Sequence, residues 1–230
     1  MTKKQLLIFS ATLGFLLVFG GTTWLGPGRS LAAATPQEAA QQELPAWLEN
    51  VRHDDVTLYG FVNEEELARA TLGTPFQVFE LTPAAIQTYQ AGHNVAPLLA
   101  EQAVWVFPVL VDDQARGLFT VAQVDGQWQA VEFGFLPQSK QLDKLRKKLA
   151  KSKVTVKFVK VFPLDGTFAL IEQGQKESLV HLTSYPGLFT NLDRNNLTAY
   201  GPEQFMPEMK KALQQVLDEQ KRVEEAATTP

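Results

Sequence analysis

Asp125-Gly126 lies between two apolar runs, and few dipeptides restrict a fold so strongly. A two-residue hairpin turn of type I′ needs positive φ at both central positions, which Gly takes freely and Asp tolerates. Such a turn sets Val124 opposite Gln127, and counting back puts Val121 opposite Ala130 and Phe119 opposite Glu132. Upstream, Val104 to Val111 is almost unbroken apolar, Asp112 to Ala115 reads as a loop, and Gly117 to Val124 reads as the next strand. With Gln127 to Phe135, the stretch from Ala103 to Phe135 is predicted as an antiparallel meander. Apolar residues fall on both of its faces, so other elements must cover both.

The covering elements are legible on either side. Ser139 to Lys151 places Leu142, Leu145 and Leu149 at i, i+3 and i+7, a narrow apolar stripe on a charged helix that should lie across the sheet. Val154 to Phe162, Thr167 to Gln173 and Ser178 to Thr183 read as a second set of strands, separated by Pro163-Leu164-Asp165-Gly166 and Gly174-Gln175-Lys176. From Glu203 to Ala226 an amphipathic helix carries Phe205, Met209, Ala212, Leu213, Val216, Leu217 and Val223. Before the meander, Asn63 and Glu66 cap a helix ending at Leu72-Gly73, Val56 to Phe61 reads as a short strand, and Thr82-Pro83 starts another helix. Pro75 to Leu81 reads as a strand with Phe76 and Val78 on one face. Consecutive strands interrupted by isolated helices predict an α+β fold, an antiparallel sheet of two β-meanders with packed helices and a C-terminal amphipathic helix. The expected domain is 56–226, with a short tail at 227–230.

Export is the expected destination. Met1 to Gln5 is a basic start, Leu6 to Phe19 is a fourteen-residue apolar stretch, and Ala32-Ala33-Ala34 offers a small-residue cleavage site. The alternative is an uncleaved anchor, because residues 6–25 carry no charge over twenty positions, enough to span a bilayer. Residues 1–34 are thus read as a signal peptide and 35–55 as a loosely ordered leader, since Pro45 interrupts its Ala- and Gln-rich start. Cleavage removes Lys3, Lys4 and Arg29 and no acid, which takes the formal charge from −4 to −7. The expected location is periplasmic or secreted, where an acidic chain has no nucleic acid to meet. The chain contains 0 cysteines, which excludes disulfides, thiolate metal sites and cysteine nucleophiles.

No catalytic motif is present: there is no Gly-x-Ser-x-Gly elbow, P-loop or dinucleotide fingerprint, and Ser184 and the other serines have no motif around them. His53, His93 and His181 sit in different elements without metal-ligand spacing, and His53-Asp54-Asp55 reads as a polar turn. Asp193-Arg194-Asn195-Asn196 resembles half of a calcium loop but lacks its glycine and its final acid. Glu80 or Glu132 could pair with another carboxylate across the fold for acid–base work, and a half-buried glutamate on an exposed sheet face is the plainer reading. Catalytic, cofactor and metal assignments are accordingly none.

One surface feature does point to a partner. Lys140, Lys144, Arg146, Lys147, Lys148, Lys151, Lys153, Lys157 and Lys160 fall within 21 residues whose only acid is Asp143. With the leucines turned to the sheet, the helix lysines face solvent, and Lys153, Lys157 and Lys160 on the following strand extend the patch. Lys140, Lys144, Lys147, Lys148, Lys151, Lys153 and Lys157 are therefore the expected contacts to an anionic envelope polymer, lipid headgroup or acidic protein. The functional expectation is an exported, non-enzymatic binding or structural domain. The alternatives are an envelope assembly or chaperone partner, which a persistent apolar groove would support, and a hydrolase using scattered carboxylates.

Overall fold

The computed structural model describes residues 33–134, 136–184, 188–189, 191–193 and 196–228. Of the expected signal segment only Ala33 and Ala34 belong to these; the rest of it, the end of the tail, and Arg194 and Asn195 lie outside the described residues. The fold is α+β, with helices on both faces of a mixed sheet of 9 strands. The strands are β1 (Thr71–Leu72), β2 (Phe76–Glu80), β3 (Ala100–Val111), β4 (Gln114–Val124), β5 (Gln127–Gly134), β6 (Thr155–Val161), β7 (Gly166–Gln173), β8 (Lys176–Thr183) and β9 (Ala199–Tyr200). Their order is β5-β4-β3-β2-β6-β7-β8-β9, with β1 pairing with β3.

The hairpin at Asp125-Gly126 has φ of 51° and 78°, as a type I′ turn requires. Val124 opposes Gln127 and Val121 opposes Ala130, but the register then shifts and Thr120 opposes Glu132. Val131 is the extra residue of a β-bulge, so Phe119 faces Phe133 rather than Glu132. The two rings meet edge to face at 6.1 Å, and Glu132 is turned to the opposite side of the sheet. The expected loop at Asp112 to Ala115 is also tighter. Asp112 and Asp113 both take positive φ, 50° and 60°, and β4 begins at once with Gln114 opposite Val111. Arg69 holds the Asp112 carboxylate, and Arg146 Nη2 donates to Asp113 Oδ1 at 2.8 Å.

A wholly antiparallel sheet does not form, because β2 and β6 pair in parallel, with Val78 opposite Phe158 and Glu80 opposite Lys160. The connection explains the seam. Between β5 and β6 runs α3 (Leu136–Leu149), 14 residues and so about 21 Å long. That length carries the chain over the roughly 19 Å from the β5 edge to the far side of β2, where β6 enters in the direction of β2.

Residues 36–52 are not a loose leader but one helix, α1 (Pro36–Arg52), which continues through Pro45. Thr35 and Glu38 form a reciprocal capping box at its start. An internal proline costs about 3 kcal/mol. Burial of Leu44 and Val51, at about 1.5–3 kcal/mol each, offsets it, together with Ala39 and Ala40. Two further expectations fail locally. Val56–Tyr59 is a 3-10 turn, capped by the Asp55 side chain and stopped by Gly60 at φ 91°, rather than a strand. Glu64–Arg69 keeps the expected Asn63 cap but winds as a 3-10 helix, leaving Thr71–Leu72 to pair as β1.

Residues opposite one another across the strands share a face, so Trp105, Gln77, Phe79 and Val159 mark one side of the sheet. α1 covers its β3–β5 half over Phe107, Val109, Phe119 and Val121. α2 (Pro83–Thr88) and α4 (Pro202–Thr228) cover the β6–β8 half over Val159, Phe168 and Leu179. On the opposite face α3 packs Leu142 and Leu145 among Val78, Val106, Leu118, Phe158, Ala169 and Val180, which come from six different strands. One helix about 10 Å across touches both β4 and β8, five strand positions apart, only if the sheet curls round it. The ties at its end agree: Arg146 reaches Asp113 on one flank, and Lys148 Nζ donates to Leu197 O at 3.1 Å on the other.

At the start of β7, a methyl group on Gly166 would lie 2.7 Å from Cε2 of the fully buried Phe168 ring. Gly166→Ala should therefore lower stability by about 1–3 kcal/mol, read as a shifted urea midpoint at constant slope. An unchanged midpoint would show that the ring has room to move.

Candidate functional site, the lysine ridge of α3

On α3 the buried and exposed residues separate by helix geometry. At 100° per residue, Leu142, Leu145 and Leu149 lie within about 60° of one another, and Lys140, Lys144 and Lys147 lie within about 60° on the opposite side, with Lys151 in the turn that follows the helix. Leu142 and Leu145 are buried, Leu149 is half-buried, and the four lysines are exposed. The result is a straight ridge of ammonium groups rising about 10 Å along the helix axis from Lys140 to Lys147.

The ridge is only partly neutralised by its own molecule. Lys147 Nζ pairs with Asp143 Oδ2 at 2.8 Å, and Arg146 divides its guanidinium between Asp143 at 2.9 Å and Asp113 at 2.8 Å. Burial pushes the Asp143 carboxyl up, and hydrogen bonds from Lys147 and Arg146 more than reverse it, leaving the group below its ordinary range. The hydrogen bonds that Arg146 donates to Asp113 and Asp143 hold it more firmly protonated than usual. Lys140, Lys144, Lys151 and Lys153 are exposed and make no hydrogen bond or ion pair among the described residues. Four ammonium groups on and just beyond α3 thus stay unpaired among the described residues.

Lys157 is not part of this ridge. It stands on the other face of the sheet, where its ammonium lies 3.0 Å from Glu172 Oε2 and 5.4 Å from the centre of the Phe79 ring. Lys160, by contrast, is on the α3 face, near Glu132. Burial raises the Glu132 carboxyl, while the charge of Lys160 and a hydrogen bond from Thr120 draw it back. Glu80, also raised by burial, accepts from Gln102 Nε2 at 3.2 Å. Both carboxylates singled out in the sequence are therefore half-buried on the face of α3, each with its own partner.

One pairing escapes any reading of spacing: His181 Nε2 lies 2.9 Å from Ser184 Oγ. A serine and a histidine at this distance have the contact from which a nucleophile is built. His181 is only 2% exposed, however, and its ring stacks on Phe168 at 5.4 Å beside Phe189 at 5.0 Å, so it reads as a histidine of the aromatic core. His53-Asp54-Asp55 is a turn, in which Asp55 accepts from Thr57 and Asp54 from the Tyr59 hydroxyl. Among the described residues no three His, Asp or Glu side chains gather to hold a metal, and no helix is long and apolar enough to cross a membrane. No family model, no curated protein and no solved structure matches the chain, so the reading of its site rests on its own geometry.

Proposed function

We propose that this is a non-enzymatic binding domain, working outside the cytoplasm, that docks α3 on the anionic headgroups of a lipid surface. The observation that carries it is the straight lysine ridge opposite the leucine stripe, with Lys140, Lys144, Lys151 and Lys153 unpaired among the described residues. Lysine suits such a contact because its ammonium is a compact point charge on a flexible stem and needs no fixed geometry from its partner. Near an anionic bilayer each is worth about 1 kcal/mol, so four supply roughly three decades in affinity. The charged N-terminal start and the apolar stretch 6–25 support a location at the envelope, as leader or tether.

Sedimentation with phosphatidylglycerol and phosphatidylcholine vesicles tests this. Binding should be confined to the anionic vesicles and collapse with salt, as the Debye length falls from about 10 Å at 0.1 M to about 3 Å at 1 M. Equal binding to both lipids, or none at low salt, would remove the proposal.

A further inference from the structure

The last turn of α3 does not seal against the sheet. A pocket of about 210 Å³ opens between Leu142, Leu145 and Leu149 of α3 with Ala150 just beyond it, and Phe76, Val154 and Val156 on and beside β2 and β6, with Thr74, Arg146 and Ser152 completing its wall. Seven of these ten residues are apolar. Phe76, Leu149, Val154 and Val156 belong to the core cluster of this face and yet remain only half-buried. Apolar side chains left open to water in a pocket are a place for an apolar ligand.

The surroundings select its charge. Ser152 in the wall is bracketed by Lys151 and Lys153, both exposed and both without an ion pair among the described residues. The end of a helix contributes only about half a negative charge, screened over one turn, so the two lysines that flank Ser152 make this side of the pocket net positive, although neither lines it. Arg146 is committed to Asp113 and Asp143 and serves as wall rather than as anion receptor.

We infer that this pocket binds a single-chain fatty-acid anion, the chain between α3 and β6 and the carboxylate at Lys151 and Lys153. Size sets the length: an apolar cavity of about 150 Å³ takes a six-carbon ring, so 210 Å³ takes a chain of about eight carbons. The inference shares Lys151 and Lys153 with the proposed function, whose ridge on α3 is Lys140, Lys144 and Lys147, and variants of that ridge let the two fail separately.

Isothermal titration of the full chain with octanoate is the test, with octan-1-ol and octyltrimethylammonium as probes of the same length. Octanoate should bind saturably with one site, octanol at least tenfold more weakly, and the cation not at all. Val156→Phe and Leu149→Trp each fill the pocket from a different wall and should abolish the octanoate signal, with the urea midpoint recorded to show that each variant is folded. K151E/K153E should weaken octanoate at least tenfold and leave octanol unchanged, whereas K140E/K144E should leave octanoate unchanged and weaken vesicle binding. The inference is overturned if octanoate shows no saturable binding, if a folded filling variant binds it as before, or if the cation binds as well as the anion. Vesicle binding that persists in the filling variants with octanoate binding lost would leave both readings standing. Vesicle binding without any octanoate binding would remove the pocket alone.

Discussion

Replacing Glu66 with alanine should cost the fold about 3 kcal/mol, because it strands a mostly buried guanidinium. Arg116 grips Glu66 with two arms, Nε to Oε2 at 2.9 Å and Nη2 to Oε1 at 2.5 Å, and the two side chains are only 16% and 7% exposed. The Val62 N–H donates to the same carboxylate at 2.8 Å, so one side chain ties the turns between α1 and β1 to the start of β4. Replacing both partners, as in E66L/R116M, should recover most of the loss, since neither charge is then left buried alone. The pair also fixes a pH dependence. The Arg116 hydrogen bonds hold the Glu66 carboxyl below its usual value of 4.5 despite burial. A depressed folded pKa means that this stability is complete above that value and is lost as pH falls through the folded pKa. The stability gap between wild type and Glu66→Gln should therefore close in acid, and a gap that widens there would contradict the pairing. Urea midpoints across pH measure it.

A loss of about 3–5 kcal/mol is expected for Phe168→Ala in the other half of the sheet. Phe168 is 0% exposed, and its ring meets Phe205 of α4 edge-on at 5.1 Å and Phe189 at 5.5 Å. It is the point where β7, α4 and the segment after β8 converge, so its removal leaves a cavity that three elements would have to shift to fill. A cost below about 1 kcal/mol at constant slope would mean that α4 is not docked through this ring.

What the sequence disclosed follows from where local chemistry decides. Asp125-Gly126 allowed one kind of turn, and the residues next to it paired as counted. Leu142, Leu145 and Leu149 could reach the sheet only from one side of a helix, and that side is where they pack. Counting failed at Val131 because a bulge depends on what both strands bury, and it sent Glu132 to the α3 face instead of placing it opposite Phe119. Pro45 argued against a helix on local grounds, and tertiary burial of Leu44 and Val51 outweighed it. The parallel seam between β2 and β6 is set by how far α3 carries the chain, which no strand pattern records.

The ridge lysines were legible for the same reason as the leucines. Lys157 and Lys160 were not a single patch, and alternation already carried that signal: three residues apart on one strand, they must point to opposite faces. Lys157 accordingly meets Phe79 and Glu172, and Lys160 lies near Glu132. The pocket beside Ser152 had no sequence signal, because it exists only where a curled sheet and a helix end fail to close on each other.

The central claim is that the ridge of α3 is the contact surface, and charge reversal along it is the most direct measurement. K140E/K144E/K147E should abolish sedimentation with phosphatidylglycerol vesicles at low salt while leaving the urea midpoint within about 1 kcal/mol of wild type, since all three side chains are exposed. Reversing Lys176 and Lys211, exposed at the start of β8 and on α4, should reduce binding only slightly. A ridge variant that sediments like wild type, or control reversals that weaken binding as much, would show that net charge rather than α3 makes the contact.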